Sequence, residues 1–307
     1  MFSNSKRRTY AAIAIAALLS TVFVPWPHNP GVLLRSLFEW LHVPVFGLVS
    51  LVILSTTPTS WPGSQRFGLA LIGTVLLGVL TEAAQIPMQR DASWEDLIAD
   101  AAGAVSLLAF AYAFGRKQII GGISAISATA ILLWTASPLI DTTRAFVHRN
   151  AQFPVIFSGD IDSEETFVSG LNVRMKTRRS EASDEFYTEV RVLHEKGMNI
   201  QIRDLVPDWS DYSILNLRIE LLGDLDLIMT VRIHDTLHRR GDQPHDDRFN
   251  QRLTLSPGMN SLTIPLQNVS SAPRGRLMDM TKIEALILYA EMSDTDRSFN
   301  LFEINLS

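Results

Sequence analysis

Ahead of Ile140 the chain is built from apolar runs long enough to cross a lipid bilayer, and beyond it there are none. A helix rising about 1.5 Å per residue needs about 20 residues to span the hydrocarbon layer. Runs at residues 10–24, 43–56, 67–86, 97–114 and 119–140 meet or approach that length, the second by reaching back to Leu33. They predict an all-α transmembrane bundle of about five spans. The first run follows Lys6, Arg7 and Arg8 as a signal peptide would. Val24-Pro25-Trp26-Pro27 offers no small-residue cleavage site, so the run reads as an uncleaved span.

Ionisable groups at the end of a membrane helix are costly unless they are used. Glu82 and Gln85 close the third run and share a helix face; Asp96, Asp100 and Gly103 open the fourth at i, i+4 and i+7, one stripe ending in a residue small enough for a neighbouring helix to come close. Pro87 stops the third helix, and Ser93, three residues before Asp96, has the form of a helix cap. Arg90 lies between the two stripes, where it can pair with a carboxylate or clamp an anion.

Lys6, Arg7, Arg8, Arg66, Arg116 and Lys117 fall on one side of a five-span topology, and only Arg35 and Arg90 in the short loops of the other. Positive residues mark the cytoplasmic side. The expectation is an integral protein of the cytoplasmic membrane with its N-terminus inside. His42, Glu82, Gln85, Arg90, Asp96 and Asp100 then gather at the outer boundary, and the C-terminal half lies outside.

A carboxylate pair with a histidine and an arginine suits proton transfer beside an anion clamp. Glu82, Asp96, Asp100 and His42 are therefore the candidate catalytic residues, and Arg90, Gln85 and Ser93 the candidate substrate-binding ones. A metal held by His42, Glu82 and Asp96 is chemically conceivable, but no HExxH or comparable spacing supports it, so neither metal nor cofactor is expected. The absence of cysteine removes disulfides, thiolate nucleophiles and cysteine metal sites. A net charge of −5, without a broad basic patch, gives no support to nucleic-acid binding. There is no Walker loop, no GxSxG elbow and no strand-linked GxGxxG.

Glu82-x-x-Gln85, Arg90 and Ser93-x-x-Asp96-x-x-x-Asp100-x-x-Gly103, preceded by a histidine at the start of an earlier span, resemble the VanZ-like family of small bacterial integral membrane proteins. The likeness covers about residues 37–114, with departures at Phe38, Glu39, Phe46 and Asp100. It implies a role in the bacterial envelope, in a family with one member linked to glycopeptide resistance. The expected partners are membrane lipids or lipid-linked head groups.

After residue 145 the pattern changes to short alternating runs broken by Gly, Pro, Asn and Asp, at 186–193, 215–222, 227–233, 261–266, 283–289 and 298–306. These predict an all-β antiparallel sandwich, a jelly roll, over 146–307, following the transmembrane domain of 1–145 in a multi-domain chain. No helix of convincing period appears there. Asp208-Trp209-Ser210-Asp211-Tyr212, Arg232-Ile233-His234-Asp235, Asp247-Arg248-Phe249-Asn250, Pro257-Gly258-Met259-Asn260 and Phe302-Glu303-Ile304-Asn305-Leu306 resemble the galactose-binding-like jelly rolls of carbohydrate-binding modules. That resemblance implies an envelope glycan as a further partner. From the residues alone, Trp209 reads as a core anchor, Asp235, Asp247 and Arg248 as a loop-fixing network, and His238 and His245 as solvated.

Overall fold

The computed structural model describes residues 4–22, 30–86, 93–114, 119–181, 183–193, 197–290 and 297–307. It separates into two compact units, Met1–Thr143 and Arg144–Ser307.

The first unit is helical: α1 (Asn4–Val22), α2 (Val32–Thr56), α3 (Gly63–Gln85), α4 (Trp94–Phe114) and α5 (Ile119–Gln152), of which the last turns from Arg144 belong to the second unit. Among the described residues four helices, α2 to α5, are long and apolar enough to cross a membrane. The span count is therefore about four rather than five. The polar start of α1, through Asn4, Ser5, Lys6, Arg7 and Arg8, leaves only Ala11–Ser20 as its apolar stretch, too short for the bilayer. Helix α2 begins at Val32, so His42 lies inside a helix and not at the start of a span.

Large apolar side chains point away from the bundle, among them Ile72, Leu76 and Leu80 of α3 and Ile123, Ile126 and Leu133 of α5. Such faces are disfavoured in water and suited to lipid. Inside, helices approach where side chains vanish. A Cβ placed on Gly103 of α4 would lie 2.0 Å from the Val43 carbonyl oxygen of α2, and one on Gly47 would lie 2.9 Å from the Gly103 oxygen. Small residues at both positions let α2 and α4 pack backbone to backbone.

Among the described residues the second unit holds eleven strands, β1 (Val155–Phe157), β2 (Val168–Leu171), β3 (Val173–Arg179), β4 (Phe186–Val192), β5 (Met198–Arg203), β6 (Ile214–Leu221), β7 (Leu227–Asp235), β8 (Phe249–Leu255), β9 (Gly258–Pro265), β10 (Ile283–Ala290) and β11 (Ser298–Leu306). One sheet runs β3-β4-β11-β6-β9 with β1 on β11; the other runs β2-β5-β10-β7-β8. Every pairing is antiparallel. Strand β6 shows why: Leu215, Leu217, Ile219 and Leu221 are buried, with Asn216, Arg218 and Glu220 between them on the other face. Inward residues of both sheets share one core around Trp209, Phe157, Phe299 and Met198. Three short helices interrupt the strands, α6 (Ile161–Glu164), α7 (Thr236–Arg240) and α8 (Leu266–Ser270), where the sequence pattern predicts none.

Candidate functional site

His42 of α2 and Asp100 of α4 meet in the interior of the first unit, with Nδ1 and Oδ1 2.9 Å apart. Both side chains are buried. The close approach at Gly47 and Gly103 makes the pair possible, because Gly103 stands one turn beyond Asp100, against Val43, the neighbour of His42. On its other side Asp100 rests on α3: a Cβ on Gly78 would fall 2.7 Å from Asp100 Oδ2. The ring of Phe46 stacks on His42 with centroids 6.0 Å apart, closing the remaining flank with carbon. A buried carboxylate–imidazole pair fixes which ring nitrogen faces Asp100 and frees the other for chemistry.

Glu82, near the end of α3, is buried, and its Oε2 accepts the Ser93 backbone N–H at 3.0 Å. Ser93 caps α4, its Oγ accepting from the Asp96 N–H at 3.2 Å and donating to Glu95 at 2.8 Å. One carboxylate of α3 thereby holds the first turn of α4, where the helix dipole favours negative charge. Asp96, half-buried, completes a triplet: one ligand-type atom from each of His42, Glu82 and Asp96 lies within 4.8 Å of the others.

Five of the sequence-predicted residues, His42, Glu82, Ser93, Asp96 and Asp100, therefore come together through helices α2, α3 and α4. Gln85 is buried one turn beyond Glu82 and lines a cavity of about 920 Å³ with Ser93 and Asp96. Arg90 lies outside the described residues. The same cavity is walled by Arg35, Glu39 and Trp134, which sequence reasoning did not place in the site. Arg35, Glu39 and His42 stand at i, i+4 and i+7, a helical stripe that becomes visible once α2 is known to begin at Val32.

In the second unit the polar cluster is structural. Arg276 bonds Asp235 at 2.6 Å and Asp247 at 2.5 Å, and Asp235 also accepts the backbone N–H groups of His238 and Asp279. His238 is buried against Asp247 at 3.3 Å, which corrects its reading as solvated; His245 is exposed. Arg248 is outside this network, its Nε buried without a partner. Trp209 is fully buried with its indole N–H on the Val206 carbonyl.

The β2-β5-β10-β7-β8 sheet carries polar groups on the face away from the core. Register sets Asn199, Tyr289, Thr230 and Arg252 in one cross-strand row and Gln201, Ile287, Arg232 and Asn250 in the next. The Arg232 guanidinium lies 4.2 Å from the Tyr289 ring centroid and bonds Asn250 at 3.0 Å.

No family model matches the chain, and no curated relative does. Among solved structures, an exo-β-agarase aligns over 50% of this chain and 24% of its own length, with 15% identity and a TM-score of 0.40. A family 11 carbohydrate-binding module from Clostridium thermocellum, solved with a β-1,3-1,4-mixed-linked tetrasaccharide, aligns over 45% of this chain and 86% of its own, with 13% identity and a TM-score of 0.33. A family 30 carbohydrate-binding module of a Clostridium thermocellum cellulosomal cellulase aligns over 50% and 95%, with 12% identity and a TM-score of 0.35. The chain spans about a quarter of the length of the agarase.

Proposed function

We propose that the chain is a bacterial envelope membrane protein of VanZ-like character, whose helical half handles the polar head group of a lipid or lipid-linked glycan while its β half recognises saccharide. The observation that carries this reading is the buried His42–Asp100 pair, joined within the bundle by Glu82 and Asp96, beside a cavity of about 920 Å³. A helix bundle serving only as an anchor has no use for three buried ionisable groups, each of which is costly in hydrocarbon.

The chemistry follows from the placement. Asp100 orients His42 through Nδ1, so the other ring nitrogen can give or take a proton at a bound group. Asp96 reaches the cavity wall, Arg35 supplies positive charge there for a phosphate or carboxylate, and Trp134 supplies an apolar face. Arg90 is assigned a second anion contact on sequence grounds.

Counting from the four long helices, the start of α2, the end of α3, the start of α4 and the end of α5 fall on one side of the bilayer. Arg66, Arg116 and Lys117 fall on the other, so the polar site and everything after α5 share one side of the membrane. For the β half, the outward rows around Tyr289 and Arg232 support a saccharide surface, since sugars are held by aromatic faces and by fans of amide and guanidinium donors.

The test is substitution with protein level measured alongside. His42→Ala, Glu82→Gln and Asp96→Asn should each abolish the envelope phenotype and the change in extractable lipid-linked intermediates that the wild type produces, at near-normal membrane abundance. Loss of abundance in step with phenotype would show a structural staple, and an unchanged phenotype would leave only an anchor.

A further inference from the structure

Proton transfer alone leaves part of the site unexplained. Among the described residues Glu82 Oε1 is buried without a hydrogen-bond partner, although Oε2 of the same carboxylate is engaged. Glu82 is more than nine-tenths buried, and its carboxylate belongs to the triplet with His42 and Asp96. A buried acceptor with nothing to accept from is disfavoured and points to a missing partner.

The triplet has the composition of a metal site. One histidine nitrogen and two carboxylate oxygens suit a borderline divalent ion such as Zn²⁺ or Mn²⁺, whereas Mg²⁺ prefers oxygen and water throughout. A tetrahedral ion with bonds of about 2.0–2.2 Å keeps its ligand atoms about 3.4 Å apart. The present atoms already lie within 4.8 Å of one another. With Nδ1 of His42 on Asp100 at 2.9 Å, Nε2 is the nitrogen left to ligate, the arrangement in which metal-binding histidines are held. Three protein ligands leave positions open, the form of a catalytic rather than a structural site.

We propose that His42, Glu82 and Asp96 bind one divalent transition-metal ion, with Asp100 as a positioning residue. This deepens the head-group reading and rests on it for the ion's role, which is to receive a phosphate or carboxylate oxygen of the group entering the cavity. It revises the sequence expectation of no metal, which relied on local spacing and could not see ligands drawn from three helices.

The experiment uses full-length protein in detergent, stripped with chelator and titrated calorimetrically with Mn²⁺ and with Zn²⁺. One ion should bind per chain and raise the unfolding midpoint. His42→Ala, Glu82→Gln and Asp96→Asn should each weaken binding at least about 10-fold, and Asp100→Asn about 10- to 100-fold with stoichiometry kept. Exposed Glu95→Gln should bind as the wild type does. Where a variant fails to fold, the wild type decides: Co²⁺ loading should give visible ligand-field absorption, displaced by one equivalent of Zn²⁺. Absence of binding by the wild type, or equal binding by all three ligand variants, overturns the proposal. If the variants lose the envelope phenotype while the wild type binds no ion, the metal falls and the head-group reading stands. If ligand-dependent binding is found with an unchanged phenotype and lipid profile, the metal stands and the head-group reading falls.

Discussion

Both ring nitrogens of His234 are buried without a partner, 5.0 Å from the ring of His238 and facing the positive charges of Arg232, Arg239 and Arg248. Burial first, then the neighbouring His238 and these arginines, push its pKa down to about 4. His238 is also lowered by burial, which its bond to Asp247 only partly offsets. Burial would raise Asp235, but Arg276 and two backbone donors outweigh it and hold the carboxyl low, and Arg276 holds Asp247 low as well. The sign for His234 is then fixed. The folded state keeps it neutral, so its stabilisation is present above the unfolded value near 6.5 and is lost as pH falls toward 4. A shift of this size corresponds to about 3.5 kcal/mol at most, since one pKa unit is about 1.4 kcal/mol. Urea unfolding of residues 144–307 should show stability falling between pH 6.5 and 4, and His234→Leu should flatten that slope while costing little at pH 7, because no hydrogen bond is lost. An unchanged slope in the variant would place the acid sensitivity elsewhere. Alternation puts His234 on the outward face of β7 and says nothing about what covers it, so its neutral, buried state was not legible before the structure.

Helix boundaries and helix crossings decide the polar site. Gly103 is the tightest point, where a side chain would have to displace the Val43 backbone carbonyl, 2.0 Å from a built Cβ. Gly103→Leu should therefore separate α2 from α4, break the His42–Asp100 pair and lower the unfolding midpoint of the full-length protein in detergent, with a loss of at least about 1–3 kcal/mol expected for overpacking. Near-normal stability together with normal function would mean that the two helices do not meet there. The Glu82-to-Gly103 block was legible because both stripes lie in successive helices joined by a short connection, so spacing alone faces them toward each other. His42 was legible as a residue but not as a helix interior, because Pro44 and the polar residues Arg35 and Glu39 break the apolar run that marks a span. In the β half the apolar strands β4, β6, β7, β9, β10 and β11 were readable within a few residues. Strand β3, with Arg174, Lys176, Arg178 and Arg179, was not, because a charged edge strand protects its sheet from pairing by giving up the apolar alternation that identifies it.

A chain with two kinds of core can be cut between them, and side-chain contacts decide where. The composition changes near residue 145, but α5 continues to Gln152, and its last turns belong with the β unit. Arg149 shows why. Its guanidinium is buried, donates to the carbonyls of Arg203 at 2.6 Å and Ile156 at 3.3 Å, and lies 4.3 Å from the Phe167 ring centroid. It thus ties the end of the helix to β1, to the end of β5 and to the residue before β2. Bonds from a charged donor contribute about 1.5–3 kcal/mol, and a desolvated cation–π contact about 1–2 kcal/mol more. We propose that residues 144–307 fold alone, since the two sheets share one core and the helical turns carrying Arg149 travel with them. That fragment should melt cooperatively with a predominantly β circular dichroism spectrum. A fragment beginning at Phe153 should be less stable by about 2–4 kcal/mol, because carbonyls that accepted from Arg149 lose their donor. Arg149→Met in the longer fragment should reproduce most of that loss while keeping the helical turns, which separates the guanidinium from the backbone around it. Equal stability of the two fragments would place the boundary of the β unit after the helix, and a disordered longer fragment would mean that the sandwich depends on the bundle.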